Sequence, residues 1–130
     1  EADAGFAFVG EVGDDFARSL AAYRLADVIV VNPVRDGMNL VAKEVPVVSE
    51  RGCALVLSRE AGAHDELGEW AIVVNPFDII DTADALYQAL TMDPAERSRR
   101  SQALAQAATA LPPQRWFTAQ LDALDAKAPA

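Results

Sequence analysis

Between the apolar run DVIVVN (27 to 32) and the stretch NLVAKE (39 to 44), which has the residue types of a helix start, the chain places Asp36, Gly37, Met38 and Asn39, and then Glu44 eight residues after the first acid. A carboxylate offers about four lone-pair sites, so Asp36 suits the hydroxyls of a sugar. Gly37 can take a positive φ and lets a ligand approach the main chain. If a helix starts near Asn39, the N–H groups from Met38 to Val41 point outward as an anion site that a diphosphate fits without any lysine. Glu44 then lies a little over one turn inside the helix, placed to take a vicinal diol such as that of a ribose. An acid, an anion nest and a second acid describe a nucleotide-sugar. The same spacing also describes a plain strand-to-helix turn with a solvated acid at each end, and spacing alone does not separate the two.

The elements that must position these residues alternate. FAFVGEV (6 to 12), DVIVVN (27 to 32), CALVLS (53 to 58) and AIVVNP (71 to 76) are short, valine-rich apolar runs bounded by Gly, Asp, Asn or Pro, and they predict four strands. Their near-continuous hydrophobicity is that of parallel strands covered on both faces. Between them, DDFARSLAAYRLA (14 to 26) sets Phe16, Leu20 and Tyr23 on one helical face, with Asp14 and Asp15 near its start, where the helix dipole favours negative charge. EAGAHDELGEW (60 to 70) predicts a short helix. DIIDTADALYQALTM (78 to 92) predicts a longer one, with Ala83, Leu86 and Leu90 on its stripe and Asp78 or Asp81 as its cap. Asp93, Pro94 and Glu96 make a strong helix start, Pro112 and Pro113 a stop, and RWFTAQLDALDA (115 to 126) one more amphipathic segment. Strand and helix alternating in this way predict an α/β fold, a Rossmann-like open parallel sheet with flanking helices. In such sheets ligands bind beyond the carboxyl ends of the strands, where the loops from Gly10 to Asp15, Asn32 to Met38, Ser58 to Asp65 and Asn75 to Asp78 lie.

Composition narrows the class. The 130 residues read as a single domain, and 52% hydrophobic content excludes wholesale disorder. A formal net charge of -9 argues against nucleic acid and against an anionic membrane surface, so any phosphate must be held by local dipoles. The one cysteine, Cys53, forms no internal disulfide and builds no zinc site, and a reducing cytoplasm fits this usage. No apolar run approaches the roughly 20 residues of a membrane span. The start at Glu1 rather than Met suggests a piece of something longer. No strand is followed by Gly-x-Gly-x-x-Gly, nor does a Gly-x-x-x-x-Gly-Lys-Ser/Thr loop occur, which argues against a dinucleotide dehydrogenase and a P-loop enzyme.

The remaining conspicuous residues read as structural. His64 is expected as a solvated cap residue rather than a base, and Cys53 as core. Arg97, Arg99 and Arg100 are expected on a solvated face balanced by Glu96. Trp70 and Trp116 are expected to pack, and Glu60 and Glu66 to favour a nearby helix N-terminus.

RDGMNLVAKE (35 to 44) resembles the sugar-nucleotide motif of the trehalose-6-phosphate synthase family, retaining glycosyltransferases of the two-Rossmann GT-B type. AAYRLADVIVVNPVRDGMNLVAKE (21 to 44), LVLSREAGAHDELGEWAIVVNPFDI (55 to 79) and ADALYQALTMDPAERSRR (83 to 100) follow in that family's order and spacing. The resemblance implies that Asp36 is the catalytic-site acid on the glucosyl hydroxyls. It implies that the backbone of Gly37, Met38 and Asn39 contacts sugar and phosphate, that Leu40 and Val41 make main-chain diphosphate contacts, and that Glu44 holds the ribose diol. It further implies UDP-glucose as donor, glucose 6-phosphate as acceptor, trehalose 6-phosphate and UDP as products, and no metal or other cofactor, with the leaving diphosphate charge on a helix N-terminus.

Two departures bear on the expectation. The resemblance covers only the C-terminal, donor-binding half of a GT-B enzyme, so the acceptor would enter through an N-terminal domain outside this chain, and the chain alone should not turn over. A homo-oligomer of the full-length protein is open. After Glu44 the family usually reads Tyr-Val-Ala, whereas VPVVSERG (45 to 52) is similar to the pseudo-glycosyltransferase relatives, which join a nucleotide-activated cyclitol to an amino-cyclitol phosphate through nitrogen. The intact RDGMN core keeps sugar transfer ahead. A receiver-like signalling module needs an Asp at a central strand end and a Lys at a later one; Asn32, Ser58 and Asn75 stand there instead.

Overall fold

The computed structural model describes residues 15 to 126. Along the chain come α1 (Phe16–Leu25), β1 (Val28–Val31), α2 (Leu40–Val48), β2 (Ala54–Ser58), α3 (His64–Leu67), β3 (Ile72–Val74), α4 (Ile79–Thr91), α5 (Pro94–Thr109) and α6 (Pro113–Asp125). The strands form one parallel sheet in the order β1-β2-β3, with Val28 opposite Ala54, Val31 opposite Leu57, Val56 opposite Ile72 and Ser58 opposite Val74. This is the expected α/β arrangement of a Rossmann-like parallel sheet with flanking helices. The strand expected over 6 to 12 lies outside the described residues.

The sheet separates two apolar layers. Leu55, Leu57 and Val31 face Ala42 of α2, Leu67 of α3 and Leu104 of α5, while Ala54, Val56, Ile72 and Val74 face Ala85 and Ala89 of α4. Only the central strand is buried along its whole length, as a strand covered on both faces must be. At the edges Val30 of β1 and Val73 of β3 stay exposed.

Local chemistry starts the helices. Asp15, Asn39, Asp78 and Asp93 each accept hydrogen bonds from first-turn N–H groups, and Pro94 follows Asp93 at the first helical position, where its missing N–H leaves nothing unpaired. Asp78, not Asp81, caps α4; Asp81 instead accepts from the N–H of Asn75. The stripe of α4 also differs from expectation. Ala85 and Ala89 are its buried residues, whereas Ala83 and Leu90 face outward, because a helix lying close on a sheet brings its small side chains into contact. α1 buries no residue, and Phe16 is exposed, so the apolar face formed by Phe16, Leu20 and Tyr23 is not a core face among the described residues. α6 starts at Pro113, earlier than expected, and likewise buries nothing.

At the amino edge of the sheet, Asp27 receives both Arg51 and Arg97, each at 3.3 Å, and Arg24 pairs with Glu50. Arg97 therefore leaves the solvated arginine face expected of it, while Arg99 and Arg100 do pair with Glu96, which they hold down to about 2. Cys53 is buried, and that burial pushes its thiol up to about 11, so it is core and not a nucleophile.

Candidate functional site

The turn after β1 is built around the Asp36 carboxylate. Its Oδ1 accepts the Met38 N–H at 3.1 Å and its Oδ2 accepts the Asn39 side-chain amide at 2.9 Å. The Met38 N–H first, and the Asn39 amide second, hold this carboxyl below its ordinary range, so it stays ionised. Asn39 faces both ways, since its Oδ1 accepts the Ala42 N–H at 3.0 Å and so caps α2. This double duty puts its backbone at φ 70, on the left-handed side, where Asn is tolerated better than most residues. Gly37, expected to take the positive φ, does not; Asn39 does. The space around Gly37 is nonetheless open, with nothing within 4 Å of where a side chain would begin.

The Asn39 cap leaves the first-turn N–H groups of Leu40 and Val41 without intrahelical acceptors, at the end of a helix whose dipole favours anions. The Met38 N–H, in contrast, is already taken by Asp36. Glu44 stands exposed as the fifth residue of α2, a little over one turn in, as expected. Asp36, Gly37, Met38, Asn39, Leu40, Val41 and Glu44 thus run in succession from the turn after β1 into the first turns of α2.

A second segment laces this turn in place. The Asp36 N–H donates to the Glu60 carbonyl at 3.2 Å, the Gly62 N–H to the Asp36 carbonyl at 3.0 Å and the Ala63 N–H to the Met38 carbonyl at 2.8 Å. Asp36 and Ala61 form a parallel bridge that extends the β1-β2 ladder past the strand ends. Lys43 of α2 reaches Glu66 of α3 at 2.6 Å, so Glu66 is a cross-element partner rather than only a dipole charge. The sequence carried a faint signal for this strap in Ala61-Gly62-Ala63, three small residues between β2 and α3, and none for the Lys43–Glu66 pair.

Two clefts flank the ridge. One of about 640 Å³ is lined by Gly37, Met38, Lys43, Glu66 and, from α6, Trp116. The other, of about 670 Å³, is lined by Arg35, Asp36, Arg59, Asp65 and Phe77. Trp116 is 65% exposed, so it lines a cleft and is not the packing residue expected. Trp70 does pack on the core, with Arg99 stacked 5.5 Å from its ring centre. His64 is the first residue of α3 and half-buried, while Ala63 holds the cap position, so it is not the solvated cap residue expected. No group of three or more His, Cys, Asp or Glu able to hold a metal ion occurs among the described residues, and no described helix is long and apolar enough to cross a membrane.

Residues 12 to 126 match glycosyltransferase family 20. Validamine 7-phosphate valienyltransferase of Streptomyces hygroscopicus subsp. jinggangensis is 37% identical over 113 residues, which are 87% of this chain and 23% of that protein. Among solved structures, a trehalose-6-phosphate protein from E. coli bound with UDP-2-fluoro glucose superimposes with a TM-score of 0.83 at 36% identity, over 92% of this chain and 27% of that one. A UDP-forming alpha,alpha-trehalose-phosphate synthase from Burkholderia xenovorans in complex with glucose-6-phosphate does so with a TM-score of 0.79 at 38% identity, over 87% and 25%. The chain thus spans about a quarter of the length of these relatives. With its parallel sheet and a match from residue 12 to 126, this chain belongs to glycosyltransferase family 20.

Proposed function

We propose that these 130 residues are a single nucleotide-sugar-binding domain, part of a larger two-domain enzyme that transfers glucose with retention from UDP-glucose to glucose 6-phosphate, giving trehalose 6-phosphate and UDP. The observation that carries the reading is the Asp36 to Glu44 segment, an ionised acid, two unpaired helix N–H groups and a second acid in succession. Asp36 accepts the hydroxyls of the glucosyl ring. The N–H groups of Leu40 and Val41 meet the diphosphate and take up its negative charge as the glucosyl bond breaks, a role that a fixed dipole fills without reorganising. Glu44 accepts both hydroxyls of the ribose. The relative bound with UDP-2-fluoro glucose supports the donor, and the one in complex with glucose-6-phosphate supports the acceptor, which would enter from the other domain. The reaction needs no metal on this reading, and the enzyme works in the cytoplasm.

A second reading, coupling of a nucleotide-activated cyclitol to an amino-cyclitol phosphate, is favoured by the 37% identity to the valienyltransferase and by the departure after Glu44, where Pro46 sits buried inside α2. The test is amide shift mapping of this chain with UDP-glucose, UDP, GDP-glucose and glucose 6-phosphate. Saturable shifts over residues 36 to 44, strongest for UDP-glucose and weakened by Glu44→Ala, are expected. A preference for GDP-glucose would point to a different donor and remove UDP-glucose from the scheme. Still amides at millimolar ligand in the folded domain would remove the donor site from this chain.

A further inference from the structure

The role of Gly62 follows from what a side chain there would strike. A Cβ on Gly62 would lie 2.7 Å from the Gly37 carbonyl carbon and 3.2 Å from the Met38 nitrogen, and closer still to the Gly37 oxygen. Those three atoms belong to one peptide unit, the unit whose N–H donates to Asp36 Oδ1. The bonds from Gly62 N–H to the Asp36 carbonyl and from Ala63 N–H to the Met38 carbonyl bracket that peptide on both sides. It therefore has no room to slide away from a methyl group at position 62; it must tilt, and tilting turns its N–H off the carboxylate. At Gly37 itself a Cβ would meet nothing within 4 Å, so the tight place in this turn is Gly62, on the other segment.

We infer that Gly62 is a positioning residue for Asp36: its bare Cα lets the strap over 60 to 63 lie against the turn and aims the Met38 N–H at the Asp36 carboxylate. Resting on the reading of Asp36 as the acid for the sugar hydroxyls, this makes Gly62 a determinant of how well the glucosyl group, rather than the nucleotide, is held. Without the Met38 bond the carboxylate keeps only Asn39, through its side-chain amide and its backbone N–H, and loses the strongest of the bonds that hold it down. The other charged groups around the same cleft are Arg35, Arg59, Glu60 and Asp65, with Glu60 paired to Arg59.

The experiment is a carbon-detected titration of the Asp36 carboxyl in the 130-residue chain, as wild type, Gly62→Ala and Gly52→Ala. The last adds a methyl group at φ +71, where it would lie 3.3 Å from the Ser98 Cα, at the amino edge of the sheet, and so strains the fold away from Asp36. An upward move of the Asp36 midpoint in Gly62→Ala alone is expected, with UDP-glucose binding weakened about tenfold, the effect of one lost charge-assisted hydrogen bond, and UDP binding nearly unchanged. An unmoved midpoint in Gly62→Ala, or equal moves in both glycine variants, overturns the inference. Should Gly62→Ala fail to fold, the wild type decides: the Met38 amide proton must titrate together with Asp36, and an amide that does not follow it overturns the inference as well. A midpoint that moves while neither UDP-glucose nor UDP shifts any amide in the wild type supports the positioning role and overturns the proposed function instead.

Discussion

Asn39 carries two loads that substitution separates. Its Oδ1 caps α2 through the Ala42 N–H, and its backbone sits at φ 70. Asn39→Ala loses the cap, a loss of about 1 kcal/mol, and also places a Cβ-bearing residue without a compensating side chain on the left-handed side, for about 1 to 2 kcal/mol more. Asn39→Gly loses the same cap oxygen, but glycine takes that φ freely and at a cap gives up only a few tenths of a kcal/mol. Both variants also lose the side-chain bond to Asp36, so the difference between them isolates the backbone: the alanine variant is expected to lose about 1 to 2 kcal/mol more than the glycine variant. Urea unfolding followed by far-ultraviolet circular dichroism gives both numbers, provided the dependence on urea keeps the same slope. Equal losses in the two variants would refute the backbone part of the reasoning, and a loss below about 0.5 kcal/mol in Asn39→Ala would refute both parts.

Leu104 is fully buried between α5 and the sheet, against Ala42 and Leu67, so Leu104→Ala should lose about 2 to 5 kcal/mol in the same unfolding assay; a loss under about 1 kcal/mol would mean that α5 is not docked as described. The acid side of the stability curve should carry the mark of Glu96, whose Arg99 and Arg100 hydrogen bonds hold it down to about 2 from an ordinary 4.5. A carboxyl lowered in the folded state stabilises above its unfolded value and stops doing so as pH falls through the folded one, so the urea midpoint should drop between about pH 4.5 and about pH 2, and less so in Glu96→Gln.

The strands at 28 to 31, 54 to 58 and 72 to 74 were legible because a strand covered on both faces needs an unbroken apolar run, which a local reading detects. The start of α5 was legible for a similar reason, since Asp93, Pro94 and Glu96 act within one turn. The turn from Asp36 to Glu44 was found where it lies, because the hydrogen bonds of its Asp36 and Asn39 side chains span three residues or fewer. What escaped the sequence depends on residues far apart in it. Gly62 matters only because it meets Gly37, Glu66 only because Lys43 is across from it, and Arg97 only because Asp27 is. The stripe of α4 was misread because apolar spacing favours the large side chains, while a close helix-on-sheet contact selects Ala85 and Ala89. Asn39 took the backbone strain assigned to Gly37 because its amide bonds in two directions, a gain that glycine cannot offer.

The parallel bridge between Asp36 and Ala61 has a thermodynamic consequence. A loop that must be ordered by its ligand lowers the affinity by the conformational entropy lost on binding. Here the turn is already an extension of the sheet ladder, tied by three main-chain bonds and clasped by Lys43 and Glu66, so on the proposed reading the N–H groups of Leu40 and Val41 are aligned before a diphosphate comes. The same ties link residues 36 to 38 to residues 60 to 63, so on the proposed reading adaptation to different donors falls to side chains at the rim such as Arg35, Arg59 and Trp116.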